Sequence, residues 1–308
     1  MFPFASLRYH YHRWRVLHDA EAGLPPLSAD DRASIRLFRQ AFHRIPVNAL
    51  HGMSATEADW AEAMNRLREL ALSADPRAFQ RWDVIAARMA HTSSPATPVE
   101  LAALQSHPDW DTRWRDALRE VPAGRPAMYA PLPHSSETLI QTVHHVMQLE
   151  RLTEQRADRW GAIVEFGGGF GGMCRVLHAL GFRGRYLIYD LPPIVLLQRY
   201  YLERTGMGAA SGTNVVATSD FATLHAFVEG ISERERAVFL ATWSLSESPV
   251  AVRELMKPLV QRIGRYFIGY QGRYGEVDNV DYFTNHWLPG TRRIEGIKHR
   301  PDDYYLAG

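Results

Sequence analysis

Through the first half of the chain, apolar residues recur every three or four positions, the spacing of one buried helix face. Trp60, Met64, Leu67 and Ala71 form one such stripe, and Leu139, Val143, Val146 and Leu149 or Leu152 form another. The helix starts are marked chemically. Ser54-Ala55-Thr56-Glu57 reads as a capping box, in which a hydroxyl and a carboxylate satisfy the first free amides. Asp75-Pro76 offers a cap and then a proline where its missing amide costs nothing. Thr97-Pro98-Val99-Glu100 combines both devices, and Ser135 or Ser136 opens a longer helix toward Gln155. Loops rich in proline and glycine are expected at 91–98 and 121–133. Residues 1–155 thus predict a helical N-terminal domain.

From residue 162 the rhythm shortens. Apolar runs at 163–166, 186–189, 215–217, 238–242 and 266–269 alternate with helical stretches at about 172–181, 192–206, 222–229 and 248–264. Fully apolar strands alternating with helices predict a parallel sheet covered on both faces. Segments 292–297 and 304–306 are expected to pair as a terminal hairpin. The second predicted domain is 156–308.

Composition narrows the classes. The 35 basic and 34 acidic residues give a net charge of +1, so no electrostatic case for nucleic acid arises. The single cysteine, Cys174, permits no internal disulfide and no cysteine-based zinc site, which suits a reducing cytoplasm. Residues 1–7 are apolar, but Arg8, His10, His12, Arg13 and Arg15 follow where a signal peptide needs apolar residues. The aromatic and basic arm 2–14 is expected to pack on its own domain. No run reaches the roughly 18 apolar residues of a membrane span.

The chemistry concentrates at 163–172, Ile-Val-Glu-Phe-Gly-Gly-Gly-Phe-Gly-Gly. Glycines at a strand-to-helix turn allow positive φ and let main chain approach a ligand without a Cβ in the way. In open parallel sheets, ligands settle beyond the carboxyl ends of the strands. Asp190 ends the next strand, nineteen residues after Gly171, where a carboxylate can accept both hydroxyls of a ribose. Ser219-Asp220 ends the third strand, near an adenine amino group, and Thr242-Trp243-Ser244 ends the fourth, beside the reaction centre. Gly167, Gly169 and Gly172 also satisfy the dinucleotide fingerprint. An NAD(P)-dependent oxidoreductase is therefore a rival reading. Glu165 inside the strand and the mid-chain position behind a helical domain favour S-adenosylmethionine instead.

At these residues the chain resembles the bacterial sugar O-methyltransferases. Glu165-Phe-Gly-Gly-Gly-Phe-Gly-Gly, Tyr189-Asp190-Leu191-Pro192, the segment 196–202 and Ala241-Thr242-Trp243-Ser244-Leu245-Ser246-Glu247 carry the resemblance, which spans about 129–308. It implies a class I methyltransferase fold: an α/β, Rossmann-like, seven-stranded sheet with an antiparallel seventh strand. It implies S-adenosylmethionine lying across the first four strands. Glu165, Gly167, Gly169 and Gly171 would surround its amino-acid part, Asp190 would hold its ribose, and Leu191 would lie against its adenine, with Asp220 nearby; Phe166, Gly168, Ser219, Thr242 and Trp243, read from their places at the strand ends, complete the expected cofactor site. The expected function is methyl transfer to a hydroxyl of a sugar or sugar-bearing metabolite. A small natural-product acceptor is the alternative within that class.

A sugar hydroxyl is a poor nucleophile, so a general base is expected. Glu247, just past the fourth strand, is one candidate, although a carboxylate there also suits a helix N-terminus. His286, in a loop after the fifth strand, and His145, on the helix entering the first, are the others. No histidines are spaced as metal ligands, and no metal site is expected. Magnesium assistance through Asp278, Asn279 and Asp281 is the less favoured option. The helical half would shape the acceptor pocket or form a homodimer.

Overall fold

The computed structural model describes residues 21–90, 92–208, 211–290 and 292–308. The arm 2–14 lies outside them. Helices α1 (Ala29–His43), α2 (Ala55–Ser73), α3 (Asp83–Arg88), α4 (Thr97–Gln105) and α5 (Glu137–Thr153) occupy the first half. A small hairpin of β1 (Met128–Tyr129) and β2 (Leu132–Ser136) stands where a plain loop is expected. Then β3 (Ala162–Phe166), α6 (Gly172–Ala179), β4 (Arg185–Tyr189), α7 (Pro192–Arg204), β5 (Val215–Thr218), α8 (Phe221–Glu229), β6 (Ala237–Thr242), α9 (Val250–Ile263) and β7 (Tyr266–Gln271) alternate in order. A second hairpin, β8 (Arg273–Tyr274) and β9 (Val277–Asp278), precedes β10 (Arg293–Gly296) and β11 (Asp303–Ala307).

The main sheet runs β10-β11-β7-β6-β3-β4-β5. Strands β3 to β7 pair in parallel, while β11 runs antiparallel between β7 and β10. This is the expected class I methyltransferase arrangement, including the reversed strand in the predicted terminal hairpin. The order changes direction at β3, so its carboxyl end faces the crevice where such sheets bind ligands.

Two apolar cores flank the sheet. One lies under α8 and α9, with Leu224, Phe227, Met256 and Val260 against Val164, Leu187 and Phe239. The other is shared by the sheet, α5 to α7 and the preceding helices. Its centre is aromatic: the Phe79 ring meets Phe170 at 5.6 Å and Tyr201 at 5.9 Å, both edge-on. Burying a side chain such as Phe79 is worth about 1.5–3 kcal/mol. Polar ties reinforce this seam. Arg175 on α6 reaches Glu120 at 3.3 Å and donates to the Tyr201 hydroxyl, while the Ser136 hydroxyl donates to the same glutamate.

Local chemistry explains most boundaries. Ser54 and Glu57 form the expected reciprocal cap, and Ser136 caps α5 through the Leu139 amide. Three expectations change. Asp75 does cap, but residues 76–81 form a 3-10 segment rather than an α-helix. Ser248 does not cap α9; its hydroxyl donates to the Ser244 carbonyl, and α9 starts after Pro249. Thr97 and Glu100 do not close a capping box: the Thr97 hydroxyl bonds Glu137, and Glu100 turns into the interior.

Candidate functional site

Each strand of the parallel set delivers its last residues to one crevice. The floor is the glycine loop after β3. Gly167, Gly169 and Gly171 all have positive φ, +67°, +55° and +97°, which a side chain would strain. Two glycines are also sterically required. A Cβ on Gly167 would lie 2.2 Å from that of Ser244, and one on Gly168 would lie 2.7 Å from the Ile188 side chain and 2.8 Å from the Glu165 carboxyl. Gly169 differs: a Cβ there meets only Met89, at 3.7 Å. Met89, at the end of α3, thus covers the Gly169 main chain at ordinary contact distance.

Glu165 lies beneath this loop rather than in the crevice. It is buried, and its carboxylate accepts from the Tyr186 hydroxyl at 2.7 Å. Burial pushes its pKa up to about 7, with the Tyr186 bond opposing. Phe166 is buried as well, and its carbonyl accepts from the Ser244 hydroxyl at 2.5 Å. The loop after β6 is thereby stitched to the glycine loop.

Asp190 stands at the tip of β4. One carboxylate oxygen accepts from the Leu191 amide at 2.8 Å; the other accepts from the Gln198 amide at 2.8 Å. The same Gln198 nitrogen donates to the Gly169 carbonyl at 2.8 Å, locking loop and aspartate together. Gln198 is fully buried and its own oxygen has no partner in the structure. Its inward position on α7 looks like an ordinary core site in the sequence, so it escaped the residue-by-residue reading. Desolvation, with nearby Glu165 adding to it, raises Asp190 to about 7. Leu191 is 42% exposed at the start of α7, open to a planar ligand.

At the tip of β5, Asp220 and Ser219 are exposed. The Asp220 carboxylate is committed to capping α8, accepting from the Thr223 amide at 3.0 Å and the Thr223 hydroxyl at 2.6 Å. These bonds hold its pKa below the usual range. Phe221, the next residue, packs edge-on to Tyr189 at 6.3 Å and joins this end of the crevice.

The β6 tip forms the other wall. Thr242 is half-buried. Trp243 adopts φ +63°, a costly conformation for a bulky residue. Its indole turns toward β7, where a Cβ on Gly269 would lie 3.2 Å from it, and toward His145, at 4.9 Å. Glu247, four residues on, is half-buried and hydrogen-bonded to Gln271. Burial raises its pKa to about 7, with Arg88 opposing and Asp59 assisting. Arg88 and Asp59 form a bidentate pair at 2.8 and 3.0 Å, and Arg88 lies over the Trp60 ring. Trp60 also hydrogen-bonds Tyr274, whose hairpin reaches α2. The helical half therefore roofs the mouth with Asp59, Trp60, Arg88 and Met89, none of which carried a recognisable motif.

The two histidine candidates sit elsewhere. His286 is exposed and pairs with Asp281 at 3.3 Å, on the flank that packs against α9. His145 is buried, and its Nδ1 lies 2.7 Å from the Tyr305 hydroxyl. It braces Trp243 from behind. The magnesium candidates are engaged too. Asp278 caps the turn after it and pairs with Arg273, Asp281 bonds Asn285, and buried Asn279 bonds Arg253.

The sequence matches no protein-family model and no curated protein. Solved structures do match, 113 chains in all. The N-terminal domain of human METTL16 in complex with SAH is 13% identical, with 71% of this chain and 97% of that chain covered and a TM-score of 0.40. PigF with SAH is 12% identical, with 99% and 97% covered and a TM-score of 0.38. TrmK of M. capricolum in complex with SAH is 13% identical, with a TM-score of 0.34. That match covers 52% of this chain and 66% of TrmK, and a METTL16 methyltransferase domain in a second crystal form is likewise covered over 66%. No helix among the described residues is long and apolar enough to cross a membrane.

Proposed function

We propose that this protein is an S-adenosylmethionine-dependent O-methyltransferase acting on a hydroxyl of a sugar or sugar-bearing metabolite. The carrying observation is the joined pair of strand tips: the positive-φ glycine turn at Gly169, tied through Gln198 to the Asp190 carboxylate. The rival dinucleotide reading fits less well. Sheets of that type run 3-2-1-4-5-6 without a reversed strand, whereas here β11 is inserted antiparallel between β7 and β10. Charge agrees. Glu165 and Asp190 place two carboxyl groups beside the loop, and a carboxylate there attracts a cation and repels a pyrophosphate. A sulfonium donor with an α-ammonium group meets that demand.

When bound, S-adenosylmethionine supplies a methyl group already activated by its sulfonium. The protein's share is binding, alignment and proton removal. The loop from Gly167 to Gly169 takes the methionine end, Asp190 accepts the ribose hydroxyls, and Leu191 with Phe221 flanks the base. The roof of Trp60, Arg88 and Met89 excludes water and orients the acceptor, and alignment alone can lower a barrier by up to about 7–11 kcal/mol. Glu247 accepts the acceptor's hydroxyl proton, its raised pKa matching that task near neutral pH. The mixture of aromatic, carboxylate and guanidinium groups around it suits a polyol ring.

Calorimetry with S-adenosylhomocysteine and with NADH tests the cofactor. Saturable binding of the first alone is expected, and binding of NADH alone would overturn the proposal. Transfer of labelled methyl groups to a panel of nucleotide sugars and glycans tests the acceptor class. Transfer only to phenolic acceptors would refute the sugar assignment.

A further inference from the structure

We infer that Glu100, His144 and His299 form a binding site for one zinc-class divalent metal ion. The residues come from α4, α5 and the turn between β10 and β11, positions far apart in the chain. One ligand atom from each lies within 4.8 Å of the others, and this is the one such group among the described residues. Two histidines and one carboxylate are a donor set that zinc, cobalt and iron accept and magnesium does not.

The site is built rather than incidental. Glu100 is fully buried, and a buried carboxylate needs compensation for its lost hydration. Its Oε1 lies 3.0 Å from the Arg300 guanidinium and 3.4 Å from His299 Nε2, but its Oε2 has no partner. His144 is 3% exposed, and its Nδ1 likewise has none. Two buried polar atoms left open in one small cluster need a third party. The other nitrogen of His144 lies 3.2 Å from the Gln148 amide nitrogen, so ligation through Nδ1 requires that amide to turn and accept from Nε2–H. Arg300 stands close, yet its charge is shared with Asp303 and the face of Trp243, 5.7 Å away. A bound ion would pin the turn at 297–302 to two helices of the N-terminal half. It would also brace Trp243, which borders the proposed methyl-transfer site without depending on that function.

Titration of the full-length, untagged, chelator-stripped protein with Co²⁺ tests the inference. Visible ligand-field bands saturating at about one equivalent are expected, bleached by Zn²⁺ and unaffected by excess Mg²⁺. Zinc should also raise the melting temperature. In His299→Ala, a change in a partly exposed turn, affinity should fall tenfold or more, and Glu100→Gln should behave alike. Absence of Co²⁺ bands in the wild-type protein would overturn the inference and leave a water as the third party. Equal Co²⁺ affinity in His299→Ala would overturn it as well. Affinity for S-adenosylhomocysteine should be the same with and without metal, so failure here is distinguishable from failure of the methyltransferase proposal.

Discussion

Replacing Asp190 with asparagine separates ligand recognition from folding. The substitution keeps shape but removes the charge. The bond from the Leu191 amide survives on Oδ1, while the new amide faces the Gln198 nitrogen, two donors 2.8 Å apart. Gln198 cannot simply rotate, because its nitrogen also serves the Gly169 carbonyl. The ribose loses charge-assisted acceptance, worth about 1.5–3 kcal/mol for a hydrogen bond to a charged group. That corresponds to roughly 10- to 150-fold weaker binding of S-adenosylhomocysteine. Folding should respond differently. Asp190 has a native pKa of about 7, raised by burial, so its ionised form destabilises the apoprotein. At pH 8 without ligand the removal of a buried charge offsets the donor–donor contact with Gln198, so the asparagine variant should melt within a few degrees of wild type. Calorimetry across pH adds a sign test. If only ionised Asp190 binds, wild-type affinity should fall about tenfold from pH 8 to pH 6, one decade per unit below a pKa near 7, while Asp190→Asn stays flat. Affinity within twofold of wild type, or an equal pH slope in both proteins, would refute the role assigned to this carboxylate.

Three other perturbations probe the rest of the site. Glu247→Gln should lower the methyl-transfer rate by about 10²–10⁴-fold with unchanged S-adenosylhomocysteine affinity, and the wild-type rate should rise with pH through about 7, as expected of a base that works ionised; an unchanged rate would exclude Glu247. Gly168→Ala forces a methyl group to within 2.7–2.8 Å of Ile188 and Glu165, an overpacking that costs about 1–3 kcal/mol; differential scanning calorimetry should show a fall of several degrees, and an unaltered melt would mean the loop relaxes freely. Glu165 binds a proton more readily folded than unfolded, so its contribution to stability declines as pH rises from about 4.5 through 7. Glu165→Gln should flatten that part of the melting-temperature profile relative to wild type; identical profiles would show that the buried carboxyl is not the titrating group.

The parallel strands and the glycine turn were legible because their signals are local, whereas the seven-stranded arrangement with its reversed strand came from the family resemblance. Alternating apolar runs, glycine at forced positive φ and a carboxylate at a strand tip each follow from neighbouring residues. What escaped depends on distant parts meeting. Gln198 looks like one more inward residue of α7, and only its distances to Gly169 and Asp190 reveal its part. Arg88 and Met89 belong to an unremarkable helix end some eighty residues before the loop they cover. Glu100 sits three residues after Thr97 and so mimics a capping partner; a buried arginine contact from residue 300 outweighs the helix end. Asp220 illustrates the converse, since a strand-tip carboxylate suited to a ligand is taken by the next helix's amides. The histidine candidates illustrate a related point: residue type and loop position do not tell an exposed ring, His286, from one bonded inside, His145.

A cocrystal structure with S-adenosylhomocysteine tests the central claim most directly. The methionine end should rest on the main chain of Gly167 to Gly169, with both ribose hydroxyls on Asp190 and the sulfur turned toward the side of the crevice that holds Glu247. A ligand bound away from the β3 and β4 tips, or a crevice still closed by Met89 with S-adenosylhomocysteine at saturation, would contradict it.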